Sequence, residues 1–278
     1  MDPSILKTTK DSTDCLPSER GWIYHPGPSH PSNLDIAVRM TFRKEHESSN
    51  YYYYYQDIST GQWLEHYNWT GNKKSWLSSW GSFAYKIYYT GGPTFYSSTL
   101  SWFEEVGNWP YGWRGHNWND PGKTYDGCIS TPNDPITIRD DGMYVGTNGP
   151  YSTVWPSGNK LRVTSGEANY IAWASTDYNC ILFWDGVPGH SIRYKYCPTG
   201  YPVGDLSYDE SSDYLYYVEK GRSYYGGKIF RTKMTHYQDI YNSWQEMSGL
   251  LARIEIDDRN GSIWGINGNQ GRVFEFQF

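Results

Sequence analysis

The sequence predicts an all-β fold of short antiparallel strands, and three observations predict it. Aromatic residues make up 18% of the 278 residues, with 28 Tyr and 14 Trp, and these side chains favour the pleated, half-buried surface of a strand. The 29 Gly and 15 Pro punctuate the chain into short extended runs. Those runs recur at a spacing of about 45 residues, the size of a small repeated sheet.

Residues 1 to 32 carry Lys, Asp, Ser and Thr and then "HPGPSHPS", with no periodicity, so they are expected to form a flexible N-terminal arm, and residues 33 to 278 the folded domain. His25 and His30 in that arm are read as solvated, with no metal. From Asn33 onward the pattern is strand, turn, strand. The first clear hairpin runs from Tyr51 to Asp57 and turns through Ser59, Thr60 and Gly61. It returns with Trp63, Glu65, Tyr67 and Trp69 alternating on one face. Tyr51, Tyr53 and Tyr55 fall on one face and Tyr52 and Tyr54 on the other, which suits a middle strand between packed sheets. Further extended runs follow at "AYKIYYTG", "ITIRDDGMYVGTNG", "NYIAWAS", "CILFWDG", "DYLYYVEKG", "KIFRTKM", "RIEIDD", "GSIWGING" and "RVFEFQF". Each is bounded by turn residues, and no amphipathic helix of three turns stands out.

The runs also repeat as groups. "LSYDESSDYLYYVEKG" overlays "IEIDDRNGSIWGINGN" with Leu206 on Ile254, Asp209 on Asp257, Leu215 on Ile263 and Val218 on Ile266. "GKIFRTK" then overlays "GRVFEFQ". A third copy places "DDGMYVGTNG" on the same segment, with Gly142 on Gly261 and Gly146 on Gly265, and a weaker one begins at Leu161. Repeats of about 45 residues, each worth three or four strands, predict a β-propeller, and residues 33 to 278 hold about six blades.

Composition also excludes functions. A net charge of -6 and a pI near 5.6, with no basic run, argue against nucleic acid as a partner. No apolar run is long enough to span a bilayer, so no membrane insertion is expected. The start "MDPSILKTTKDSTD" lacks a signal's apolar core, which leaves a cytoplasmic protein or a processed secreted one. Cys15, Cys128, Cys180 and Cys197 form no CxxC motif, so no zinc or other cofactor is expected, and free thiols and disulfides both stay open. There is no HExxH, GxSxG or P-loop. "WNDPG" at 118 to 122 is similar to the acidic motif of fructan-cleaving enzymes, with Asp120 as its carboxylate, but the chain is read as non-catalytic.

"YYYYYQD", "QWLEHYNW" and "SWLSSWG" follow one another in the order of one repeat of the fungal fucose-specific lectins, which this stretch of about 50 residues resembles. "WQEMSGLLARIEIDDRNGSIWGINGNQGRVFEF" resembles tectonin repeats, also of propeller lectins. Both resemblances imply a propeller that binds glycans, without catalysis, at aromatic pockets between blades. In the fucose lectins an Arg, a Glu and neighbouring aromatics grip the sugar. Here the Arg position holds Tyr52, and the Glu position falls on Glu65 or His66; Lys86 in "YKIYYT" keeps a cation.

Sugars stack their C–H faces on Trp or Tyr while polar side chains bond the hydroxyls. Trp76, Trp80 and Trp113 can supply the first, and Glu65, Lys86 and Arg114 the second. For any single Trp, packing between blades is the competing role. The alternatives are a structural or protein-interaction propeller without sugar binding and a propeller glycoside hydrolase. Repeats this divergent imply few working sites, so avidity would come from a homo-oligomer.

Overall fold

The computed structural model describes the backbone of the strands given below and of residues 178–179, 185, 187, 190, 192, 197–202, 210–213, 220–221, 223, 226, 234, 243–244, 252, 261 and 267. Its side chains are described at 22–24, 126–128, 136–138 and 143–145 and over most of 171–276. Strand β1 is Trp22–His25. The next four, β2 Pro31–Ala37, β3 Met40–Glu47, β4 Asn50–Asp57 and β5 Trp63–Trp69, form one sheet. A second holds β6 Lys73–Trp80, β7 Phe83–Thr90, β8 Thr99–Val106 and β9 Gly112–Asn119. A third holds β10 Thr124–Thr131, β11 Asp134–Arg139 and β12 Gly142–Val145. β13 Leu161–Ser165, β14 Ile171–Ser175, β15 Cys180–Trp184 and β16 Arg193–Tyr196 form the fourth. β17 Val203–Asp209, β18 Tyr214–Glu219, β19 Gly227–Lys233 and β20 Gln245–Leu251 form the fifth. In the last, β21 Arg253–Asp257, β22 Ser262–Ile266 and β23 Val273–Phe276 are completed by β1.

Neighbouring strands in every sheet run antiparallel. The first strands of successive sheets lie side by side: β2 by β6, β6 by β10, β10 by β13, β13 by β17, β17 by β21, and β21 by β2 again. That ring of small antiparallel sheets is a β-propeller. Its closing sheet mixes the two ends of the described chain, since Trp22 pairs with Phe276 and His25 with Val273. The Trp22 ring meets Phe276 edge-on at 5.1 Å.

Residues 22 to 25, assigned from sequence to the N-terminal arm, therefore belong to a sheet. The strand has four residues, and its partner lies at the far end of the chain, so no local pattern marks it. The rest of the expected arm up to Gly21, with Cys15, and residues 26 to 30, with His30, lies outside the described residues.

Both faces of a sheet are buried where it lies between two others, and the sequence of "CILFW" shows the result. Leu182 and Trp184 pack with Cys128, Ile136, Ile138 and Met143 of the preceding sheet. Ile181 and Phe183 pack on the following one, with Leu206, Leu215, Tyr217 and Phe230. The opposite face of that sheet, with Tyr216, Val218, Ile229 and Leu251, meets Ile254, Ile256 and Ile263. A near-continuous apolar strand is what two-sided burial requires.

The first strands are also tied through side chains. Ile254 N–H donates to Asp205 Oδ2 at 3.2 Å, Ile256 N–H donates to Ser207 Oγ at 3.2 Å, and Arg253 Nη1 donates to the Gly204 carbonyl at 3.0 Å. Adjacent sheets do not share a ladder, so these bonds satisfy main-chain groups that would otherwise be buried alone.

The repeat phase holds between the fifth and last sheets. Leu206 and Ile254 lie in first strands, and Leu215 and Ile263 in second strands. Asp209 and Asp257 each end a first strand and organise the turn behind it: Asp209 Oδ1 accepts from Ser211 N–H at 3.0 Å, and the Asp257 carbonyl accepts from Gly261 N–H at 2.8 Å. Leu161 also lies in a first strand. The third copy is out of phase: "GMYV" is the third strand of its sheet, whereas "SIWGI" is a second strand. The match was of turn, strand and turn, a pattern any hairpin presents.

Candidate interaction surface

The eight residues singled out from sequence lie in the two sheets β2–β5 and β6–β9, which adjoin through β2 and β6. The hairpin read over Tyr51 to Trp69 forms, β4 against β5, and its register sets Tyr51 opposite Trp69 and Tyr53 opposite Tyr67. Tyr52 opposes Asn68, Tyr54 opposes His66 and Tyr55 opposes Glu65. His66 thus shares the alternation of Tyr52, and Glu65 belongs to the other. In the second sheet Trp76 opposes Ile87, next to Lys86, and Trp80 opposes Phe83. Trp113 and Arg114 sit on the end strand β9, opposite Glu105 and Glu104. Register thus brings Tyr52, Glu65 and His66 into one hairpin and Trp76 beside Lys86. The side chains of all eight lie outside the described residues.

Among the described side chains, the exposed aromatic surface gathers on β16 and the turn after it. "RYKY" alternates exposed, exposed, buried, exposed. Tyr194 and Tyr196 are 50% and 45% exposed, while Lys195 between them is fully buried. Lys195 Nζ donates to Ser243 Oγ at 2.5 Å and stands 5.5 Å from the centre of the Trp244 ring. Ser243 Oγ in turn meets Thr232 Oγ1 at 2.6 Å. An ammonium buried this deeply needs such partners, and the result is an anchor that seats β16 against the next sheet. The period of two then sends Tyr194 and Tyr196 the other way. Their rings meet edge-on, with centroids 5.6 Å apart at 80°.

Tyr194 opposes Leu182, whose side chain packs on the β10–β12 sheet. Among the described residues that sheet has three strands, and β16 is the fourth of its own.

The main chain is open in part. Cys197 N–H donates to the Asn179 carbonyl at 2.8 Å, which fixes the phase of the β15–β16 ladder. Lys195 and Arg193 then exchange hydrogen bonds with β15, while Tyr194 and Tyr196 occupy the alternate pairs, whose N–H and C=O groups point away from it. Trp244 Nε1 donates to the Tyr196 carbonyl on that side at 2.8 Å.

The loop before β16 is held by Asp185. Its Oδ1 accepts from Val187 N–H at 3.0 Å and its Oδ2 meets His190 Nδ1 at 2.6 Å. Trp184 Nε1 donates to the Val187 carbonyl at 3.0 Å. The His190 hydrogen bond holds the Asp185 carboxyl below its ordinary value. This buckle presents Val187, 43% exposed, at the hairpin tip. Behind the surface, burial pushes the Cys180 thiol up to about 11, and Cys197 higher still. Both are free and, like Cys128, are packing groups. Sequence reasoning passed over "RYKY" because its alternation marks a strand without saying which face stays uncovered.

No protein-family model and no curated protein matches the chain. Solved structures do. A chain of the mitotic checkpoint complex superposes with a TM-score of 0.59 at 10% identity, over 98% of this chain and 97% of that one. The β-propeller domain of Cps50 (Swd1) from Myceliophteria thermophila gives 0.54 at 8% identity, over 90% and 100%. U3-55K gives 0.56 at 6% identity, over 94% and 100%. At such identities the likeness establishes the fold, and the chain is a β-propeller.

Proposed function

We propose that this chain is a protein-interaction propeller and that the outer strand β16 is its docking edge. The observation that carries the reading is the Tyr194–Tyr196 pair, exposed on an end strand where the Tyr194 N–H and C=O face outward. Tyrosine is enriched in protein interfaces because it offers large, rigid area with a polar tip. An end strand with free N–H and C=O groups can accept an extended segment from a partner. Support also comes from a similar fold occurring in an assembly, the mitotic checkpoint complex. Propellers host many functions, so the site and not the fold carries the proposal.

Glycan recognition is the second reading, because two tyrosine faces exposed at one edge also suit a sugar's C–H face. Its other candidate residues are Tyr52, Glu65, His66, Trp76, Trp80, Lys86, Trp113 and Arg114. One paired experiment separates the two. Quantitative affinity capture compares the full chain with Tyr194→Ser/Tyr196→Ser, and a glycan array is run on both. The docking reading expects proteins enriched on the wild-type chain and lost from the variant, with a blank array. Equal capture by both chains, or array binding that survives the substitutions, would count against it.

A further inference from the structure

On a different sheet, β19 places Arg231 and Lys233 two residues apart on one face, and both stand over the ring of Tyr214. The Arg231 Cζ lies 4.6 Å from that ring's centre and the Lys233 Nζ lies 5.3 Å from it. Two cations sharing one aromatic ring repel each other, and the ring offsets only part of that. The usual remedy is a carboxylate, and Lys228 on the same strand has one, Glu246, at 2.7 Å. Among the described residues neither Arg231 nor Lys233 has a carboxylate within ion-pair distance. Arg231 Nε donates instead to the neutral Gln245 Oε1 at 3.1 Å. That bond fixes the guanidinium plane by its Nε edge, a further hydrogen bond ties Arg231 to the Tyr216 hydroxyl, and the remaining N–H groups are left for recognition. The carboxylates of the turn between β17 and β18 take their hydrogen bonds elsewhere. Asp209 is taken up by Ser211 and Ser212, and Asp213 Oδ1 accepts from Tyr208 Oη at 3.1 Å.

The surroundings hold the pair in place. Tyr214 and Tyr216 are tilted neighbours, with centroids 6.1 Å apart. Tyr216 is buried in the core shared with the closing sheet. Burial pushes its hydroxyl up, while Arg231 facing it pulls the other way. The face is thus a fixed pair of cations on an aromatic floor, in a chain whose net charge is -6.

We infer that Arg231, Lys233 and Tyr214 form a recognition site for an acidic peptide segment of a partner protein. Residues two apart on a strand are spaced by about 7 Å. Acidic side chains two apart in an extended peptide have the same spacing, so one carboxylate can take the guanidinium fork and the next the ammonium. The site is separate from the β16 edge and stands or falls independently of it.

The test uses the full chain and a fluorescein-labelled peptide of alternating glutamate and serine, read by fluorescence anisotropy. Binding is expected at about 50 mM salt and a steep loss at about 500 mM. Arg231→Gln is expected to weaken it about tenfold, and Lys233→Gln by a smaller factor. Lys228→Gln, whose ammonium is already paired, should leave it unchanged, as should Tyr194→Ser/Tyr196→Ser. If Arg231→Gln does not fold, Lys233→Gln alone decides. The inference is overturned if the peptide does not bind or if Lys233→Gln binds as the wild type does. It is equally overturned if Lys228→Gln weakens binding as much as Lys233→Gln. Displacement by inorganic phosphate at matched ionic strength would reassign the pair to a phosphate ligand and overturn the peptide.

Discussion

Replacing Tyr217 by Phe removes one oxygen from the core and keeps the rest of the side chain. Tyr217 is fully buried, stacked on Phe230 at 5.2 Å and 15°, with the Trp244 edge at 4.9 Å. Its hydroxyl has no hydrogen-bond partner of ordinary geometry. The group facing it is the Cys197 thiol, a weak donor and acceptor. Burying a hydroxyl without a compensating bond costs about 1–3 kcal/mol. The small void left by the oxygen takes back part of that, so Tyr217→Phe should stabilise the fold by about 1 kcal/mol. In a chain of this size that raises the melting temperature by about 2–4 °C. Urea unfolding followed by circular dichroism reads it as a higher midpoint with an unchanged slope. Tyr217→Ala, which also removes the stacked ring, should instead cost about 3–5 kcal/mol. A Phe variant less stable than wild type by 1 kcal/mol or more would refute the reasoning, because the hydroxyl would then have a partner worth keeping.

Three further predictions follow from the same packing. Trp22→Ala should cost about 2 kcal/mol, since it strips the ring that β1 lays on Phe276. Urea midpoints check it, and no change would mean that β1 does not hold the propeller closed. Cys180 and Cys197, with thiols pushed up by burial, should react with a thiol reagent at pH 7 only after unfolding. Fast labelling of Cys197 in the native chain would contradict its place in the core. For Asp185 the folded carboxyl lies below its unfolded value. Its contribution is therefore complete above the ordinary aspartate range, near about 3.9, and is lost as pH falls through the lowered value. A carboxyl titration followed by NMR should show that low midpoint, and Asp185→Asn should speed amide exchange at Val187. An ordinary midpoint would remove the loop buckle.

How much of this was legible in the sequence depends on the range of the interaction. Hairpins are local, so "YYYYYQDISTGQWLEHYNW" announced both its strands, while the pairing that sets Glu65 and His66 on opposite alternations came only with the structure. Repeats with matching apolar positions, such as Leu206 and Ile254, also survive as pattern, because each must fill the same place between sheets. β1 was missed because its partner is at the opposite end of the chain. "GMYV" was placed one strand out of phase because turn chemistry is alike at every hairpin. The Tyr194–Tyr196 edge was invisible for a third reason. Its exposure depends on what packs against β16, and no residue of "RYKY" encodes that. Lys195 shows the same limit, since nothing in its own neighbourhood announces a buried ammonium bonded to Ser243 on the next sheet.

The docking edge is tested most directly by placing a photo-crosslinking phenylalanine analogue at position 194 and irradiating the full chain in extract from cells that express it. The reading predicts a discrete adduct to a polypeptide, absent when Tyr196→Asp puts a charge beside the crosslinker and absent with the analogue at the buried position 183. No polypeptide adduct from position 194, with glycan-array binding by the same chain, would contradict protein docking at β16.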